Sequence, residues 1–148
     1  MEASLISRVV LDTSVYVAIL RDPRFARDFR PRYETGVSRT HVSSVVVQEL
    51  LAGASDARGR RQAEALYRPF ERVGRVVTPT HEVWKDAGGL WAIIARRAPA
   101  ARSKLRASLL NDILIALSAR SIGATAVTRN EDDFRLIQAF APFRLAVV

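Results

Sequence analysis

Five short, β-branched segments punctuate this chain at intervals too long for hairpins. They are "SRVVL" around residues 8–12, "THVS" at 40–43, "RVVTP" at 75–79, "ATAVT" at 124–128 and "FRLAVV" at 143–148. Between consecutive segments lie stretches whose apolar residues recur at helical spacing. Parallel strands need long crossover connections of this kind, whereas antiparallel neighbours can be joined by tight turns. The near-continuous apolar character of the strands also asks for cover on both faces. The expected architecture is therefore α/β, a three-layer α/β/α arrangement with a mostly parallel central sheet flanked by helices. At 148 residues the chain reads as one domain, 1–148, without internal repeat, low-complexity tract or linker.

The helical stretches carry their own punctuation. "SVYVAILRD" reads as a helix limited by Pro23, and "RFARDFRPRYE" as a second helix broken near Pro31. Ser43 or Ser44 can cap "VVVQELLAGA", with Gly53 near its end. "ARGRRQAEALYRPFERVG" puts Ala63, Leu66 and Phe70 near one side and arginines on the other, and Gly74 can end it. Thr80 can cap "HEVWKDAGGLWAIIARR". "APAARS" (98–103) reads as a loop, Ser103 as the opening of "KLRASLLNDILIALSARSIG", and Gly123 as that helix's end. "EDDFRLIQAF" reads as a last short helix.

In parallel α/β sheets, ligands gather outside the carboxyl ends of the strands, and there the acids of this chain are unusual. Several acids have an arginine about one helical turn away: Asp28 with Arg24 and Arg32, Asp56 with Arg60, Glu64 with Arg68, Glu71 with Arg75, Glu131 with Arg135. Where helical, these read as solvated pairs worth roughly 0.2–0.5 kcal/mol each. Asp12 instead interrupts an apolar run, between Val9–Leu11 and Val15–Leu20. Glu49 has Val45, Val46, Ala52 and Gly53 at its helical neighbour positions, and Asp112 has Ser108, Leu109, Ile115 and Ala116. Neither has a local cation, and Arg8 lies out of contact with Asp12 along a strand. Carboxylates sent together into apolar surroundings repel, so one or more must protonate or a divalent cation must sit among them. An all-oxygen donor set favours magnesium or manganese over zinc. The plainer alternative is three separate carboxylates, each hydrogen-bonded to backbone or paired with a distant arginine.

Composition narrows the chemistry. The chain has no cysteine, which excludes disulfides, thiolate metal sites and a cysteine nucleophile, and which fits a reducing, cytoplasmic setting. No G-x-S-x-G elbow, P-loop or G-x-G-x-x-G is present. His41 and His81, the only histidines, read as structural. Apolar runs such as "LWAIIA" are far short of a membrane span, and Arg8 and Asp12 interrupt the only leader-like stretch. The formal charge is +8, and 21 of the 23 basic residues are arginine. Arginine's planar fork suits phosphate, so a polyanionic partner is expected. "ARRAPAARSKLR" (95–106) holds five basic and no acidic residues and leads into the segment carrying Asp112.

"VVLDTSVYVAIL", "HVSSVVVQELLAGA" and "NDILIALSARSIGATAVTRNEDDF", in this order and spacing, resemble the PIN domain, and most closely the VapC-like toxins of bacterial toxin–antitoxin pairs. The resemblance spans almost the whole chain. It implies a magnesium- or manganese-dependent endoribonuclease that hydrolyses RNA phosphodiester bonds to 5′-phosphate and 3′-hydroxyl ends. By the same likeness Asp12 and Asp112 are the principal metal ligands, and Glu49 binds or orients metal-bound water. Thr13 and Ser14 match the small hydroxyl residues that often follow the first aspartate. Asn130 falls at the fourth position, where many relatives carry aspartate; Asp132 or Asp133 is the alternative there. Arg96, Arg97, Arg102 and Lys104 are candidates for holding the RNA backbone. The implied partners are RNA, a small cognate antitoxin and a second copy in a homodimer, with no membrane.

Other readings have distinct signatures. A solitary RNA-processing enzyme of the same fold would lack a neighbouring antitoxin gene. A catalytically inactive PIN-like binding module is favoured only by the uncharged Asn130. A phosphate-transfer receiver domain wants paired acids after the first strand and a conspicuous late lysine, and this chain has neither.

Overall fold

A computed structural model describes residues 7–148, apart from the side chain of Arg102. The five expected strands are β1 (Val9–Leu11), β2 (Thr40–Ser43), β3 (Val76–Val77), β4 (Thr125–Thr128) and β5 (Leu145–Val147). They form one sheet in the order β3-β2-β1-β4-β5. Every pairing is parallel, with Val10 opposite His41 on one side and Ala126 on the other. The chain winds from β1 outward through β2 to β3, then returns to place β4 on the other side of β1. The β1–β4 boundary is thus a topological switch point, where the connections leaving adjacent strand ends diverge and open a crevice.

Among the described residues, seven α-helices flank the sheet: α1 (Thr13–Arg21), α2 (Pro23–Gly36), α3 (Ser44–Ala52), α4 (Ala57–Arg72), α5 (His81–Arg97), α6 (Ala107–Ser121) and α7 (Glu131–Phe140). The core joins Val10, Val42 and Ala126 of the strands to Tyr16, Val46, Phe70, Ile94 and Phe134 of the helices. In α6 every residue from Ile113 to Ala119 is buried. A helix apolar all round belongs inside, and Asp112 sits where that buried run begins.

Local signals account for most boundaries. Asp22 and Pro23 start α2, the aspartate accepting from the Phe25 N–H at 3.1 Å. Ser43, rather than Ser44, caps α3, and Thr80 caps α5. Gly123, just past α6, has φ +68°, a left-handed conformation that favours glycine.

Two boundaries differ from expectation. Pro31 does not break α2. It lies on the exposed side, while on the other side Phe25 stacks on Phe29 at a centroid spacing of 5.2 Å and Tyr33 tilts against Phe29 at 6.4 Å, packing that favours continuing the helix past the proline. Ser103 does not open α6 either. Residues Pro99–Lys104 form a 3-10 turn, and α6 starts at Ala107, with Arg106 at the cap position. Burial of Ala101 and the bond from the Arg106 N–H to the Lys104 carbonyl at 2.9 Å tie these residues into a turn.

Candidate active site

Asp12 leaves β1 at its carboxyl end. Its backbone N–H continues the ladder to the Val127 carbonyl of β4 at 2.9 Å, which fixes where its side chain can go. It is also the N-cap of α1, although its Oδ1 stands 3.4 Å from the Val15 N–H. Only 2% of the residue is exposed. Two hydroxyls compensate the burial: Ser14 donates to Oδ1 at 2.6 Å and Thr128 donates to Oδ2 at 2.7 Å. Both hydroxyls are held in turn by backbone. The Arg129 N–H donates to Ser14 Oγ at 3.0 Å, and the Asn130 N–H donates to Thr128 Oγ1 at 2.8 Å. The carboxylate of β1 is thereby locked to the loop that follows β4, across the switch point.

The other acids approach from the helices. Glu49, on α3, accepts from Thr13 Oγ1 at 2.6 Å, which ties it to the residue beside Asp12. Asp112, on α6, faces the loop after β4, where Asn130 Nδ2 stands 3.4 Å from its Oδ2. The same amide group donates to Asp133 Oδ2 at 2.9 Å. Asp133 is buried in the first turn of α7, and its other oxygen pairs with Lys104 Nζ at 3.2 Å. Asn130 and Asp133 therefore stand together beside Asp112, whereas Asp132 is exposed. One amide group of Asn130 thus bridges the carboxylates of Asp112 and Asp133.

The electrostatics report a surplus of negative charge. The carboxyl of Asp112 is pushed up to about 8, first by burial and then by the charges of Asp12, Glu49 and Asp133, with Arg106 pulling weakly the other way. Asp12 is also raised, by burial, against the lowering effect of its hydrogen bonds from Ser14, Thr128 and the backbone. Like charges gathered in a partly desolvated crevice oppose their own ionisation. Among the described residues, no three acidic or histidine side chains are gathered closely enough to cage an ion. Magnesium does not require such a cage, since it keeps several waters and is commonly held through one or two carboxylates. The all-oxygen donors and the unbalanced charge fit a hard divalent cation.

The sequence-derived candidates separate into two groups. Asp12, Thr13, Ser14, Glu49, Asp112 and Asn130 are brought together by these hydrogen bonds and charge interactions. Arg96 and Arg97, in the last turn of α5, are exposed and do not enter that network. Lys104 does reach it, through Asp133. The side chain of Arg102 lies outside the described residues. One participant, Thr128, is not among the sequence-derived candidates. Thr128 was assigned only to its strand, although a hydroxyl at the end of an otherwise apolar strand was a signal. Asp133, one of the two alternatives to Asn130, contacts both Asn130 and Lys104.

The fold has solved counterparts. This chain is similar to a chain of a DNA-bound VapBC complex from Salmonella typhimurium, at 22% identity, 96% and 98% coverage of this chain and that one, and TM-score 0.69. It also resembles VapBC-1 from nontypeable Haemophilus influenzae, at 21% identity, 94% and 96% coverage and TM-score 0.60. A third counterpart is VapBC-5 from Mycobacterium tuberculosis, a member of the VapBC family of toxin–antitoxin systems, at 24% identity, 96% and 98% coverage and TM-score 0.51. At these identities the likeness concerns the fold. No curated protein matches the sequence. The sequence model of the PIN domain matches residues 9–139, which takes in Asp12, Glu49, Asp112 and the Asn130–Asp133 turn; the chain belongs to the PIN domain family.

Proposed function

We propose that this protein is a metal-dependent endoribonuclease and the toxin of a toxin–antitoxin pair. The observation that carries the reading is the convergence of Asp12, Glu49, Asp112 and Asp133 on one charge-coupled crevice at the switch point. A magnesium or manganese ion held by Asp12 and Asp112 would supply a bound water of lowered pKa and balance charge developing on the scissile phosphate.

The chain's own residues do the positioning. Ser14 and Thr128 fix both oxygens of Asp12, and Thr13 donates to Glu49, which would be the residue to bind or orient a metal-bound water. Asn130 links Asp112 to Asp133 through its amide group. Arg96, Arg97, Arg102 and Lys104 lie in or beside the turn that enters α6, where phosphate contacts would give sequence-independent, salt-sensitive affinity for the RNA backbone. Asn130, the one residue favouring an inactive binding module, has its amide group engaged with both neighbouring carboxylates. That use does not require a charge at position 130.

A small antitoxin would silence such a site by placing an arginine among the acids or a carboxylate in competition for the metal. The toxin itself would act as a homodimer in the cytoplasm. The test is incubation of purified protein with total RNA, with and without magnesium or manganese, followed by end mapping. Metal-dependent internal cuts leaving 5′-phosphates, lost in Asp12→Asn, are the expected result. Unchanged RNA under all conditions would overturn the enzymatic reading. Harmless expression of the wild-type chain without its neighbouring small open reading frame would overturn the toxin reading alone.

A further inference from the structure

Among the described residues, Lys104 is the one cation ion-paired with the acids of the crevice. Its partner is nearly enclosed, the Asp133 side chain being 9% exposed, whereas the Lys104 side chain is 36% exposed. The pair thus has a fixed, sunken anion and a cation whose flexible stem reaches solvent. Asp133 is joined to Asp112 through the shared amide of Asn130, and its charge is felt at Asp112. Lys104 also ends the 3-10 turn of the 95–106 basic stretch. One side chain therefore belongs to two systems, the basic surface and the acidic crevice.

We propose that Lys104 is a positioning residue that serves as a resident counter-cation, masking Asp133 until a phosphate draws the ammonium away. With Lys104 on Asp133, the crevice carries one negative charge fewer toward an incoming divalent ion. When a backbone phosphate competes for the ammonium, Asp133 is unmasked and the crevice attracts that ion more strongly. Polyanion and metal then favour each other's binding, as linkage requires. This inference rests on the metal-dependent reading above and adds to it a coupling between the two ligands.

The decisive feature is a pair of effects with opposite sign. Calorimetric titration of Mn2+ into chelator-stripped protein is expected to show affinity raised about tenfold in Lys104→Met, because a partly buried charge is left unmasked. In Asp133→Asn the affinity is expected to fall by a similar factor, while Lys104→Arg stays near wild type. Thermal melting without metal verifies that each variant is folded before titration. If Lys104 only gripped RNA, Lys104→Met would raise KM for RNA and leave Mn2+ affinity unchanged, and that result overturns the proposal. Weaker Mn2+ binding in Lys104→Met overturns it as well. If the wild-type protein binds no Mn2+, the metal-dependent reading and this inference fall together; wild-type binding with no gain in Lys104→Met removes the inference alone.

Discussion

The acids of α4 and the acids of the β1–β4 crevice belong to the same chain but answer to different physics. On α4, Glu64 lies between Arg60 and Arg68, one turn away on either side, with N–O distances of 3.2 Å to both. The arginines are largely exposed, so the attraction is screened by water and salt. In the crevice, Asp12 is bonded to hydroxyls and backbone only, and Asp112 gathers three negative neighbours and one distant arginine. Neutralisation on α4 is built into the local sequence, whereas in the crevice the described residues supply one paired cation, Lys104 on Asp133, and leave Asp12, Glu49 and Asp112 without one. Under the proposed function, that difference separates acids kept for solubility from acids kept for chemistry.

The largest contrast should appear in catalysis. Asp12→Asn or Asp112→Asn is expected to lower metal-dependent RNA cleavage by about a thousandfold, in the range lost when a charge-stabilising group leaves an active site. Glu64→Gln should leave the rate within about twofold, since a screened surface charge adds little to transition-state stabilisation. Initial rates on one RNA substrate, for all three variants, measure the contrast.

Stability should run the other way. In chelator, the carboxyl of Asp112 keeps its proton to about pH 8 in the folded protein, whereas its ordinary value is 3.8. Between those limits the folded state holds a proton that the unfolded state has released, so stability falls as pH rises through the window. Asp112→Asn removes that slope. Denaturant melts near pH 8 should find it more stable than wild type, because the wild-type carboxyl, raised from 3.8 to about 8 by burial and its acidic neighbours, must there give up its proton within the fold. A variant less stable than wild type at pH 8, with the slope intact, would contradict this origin of the strain.

Smaller effects sharpen the same comparison. Thr128→Val deprives buried Asp12 Oδ2 of its donor and should cost about 1–2 kcal/mol. Thr35→Val removes a bond of similar length, 2.8 Å to the Pro31 carbonyl, at an exposed position, and should cost under about 0.5 kcal/mol. Arg60→Gln, on α4, should change stability by less than about 0.5 kcal/mol, with any change vanishing in high salt.

What could be read from the sequence was whatever is decided locally. The strands announced themselves by β-branched runs, and the caps at Ser43 and Thr80 by hydroxyls ahead of apolar periodicity. Asp12, Glu49 and Asp112 were conspicuous because helical or strand spacing alone showed that no cation stood near. Long-range choices were not visible. Pro31 stays inside α2 while Phe25, Phe29 and Tyr33 pack along its other side, and no local rule weighs such packing. Arg75, expected beside Glu71, donates instead to the Val37 carbonyl at 2.9 Å and lies over the Phe70 ring. Asp28 pairs with Arg27, at 3.6 Å, instead of the arginines one turn away. Asp56 spends its carboxylate on capping α4 through the Gly59 N–H at 2.7 Å. Lys104 and Asp133 lie far apart in sequence, and only the return of the chain from β4 into α7 joins them.

The central claim is that the crevice carries more negative charge than the chain itself can balance. Side-chain carboxyl carbon-13 NMR of Asp112, titrated in chelator and again with saturating magnesium, tests it most directly. The expected midpoint is near pH 8 without metal, falling by about two or more units with magnesium because a nearby cation favours the ionised form. A midpoint near the ordinary 3.8 in both titrations, with no response to magnesium, would show that Asp112 is balanced already and would contradict the claim.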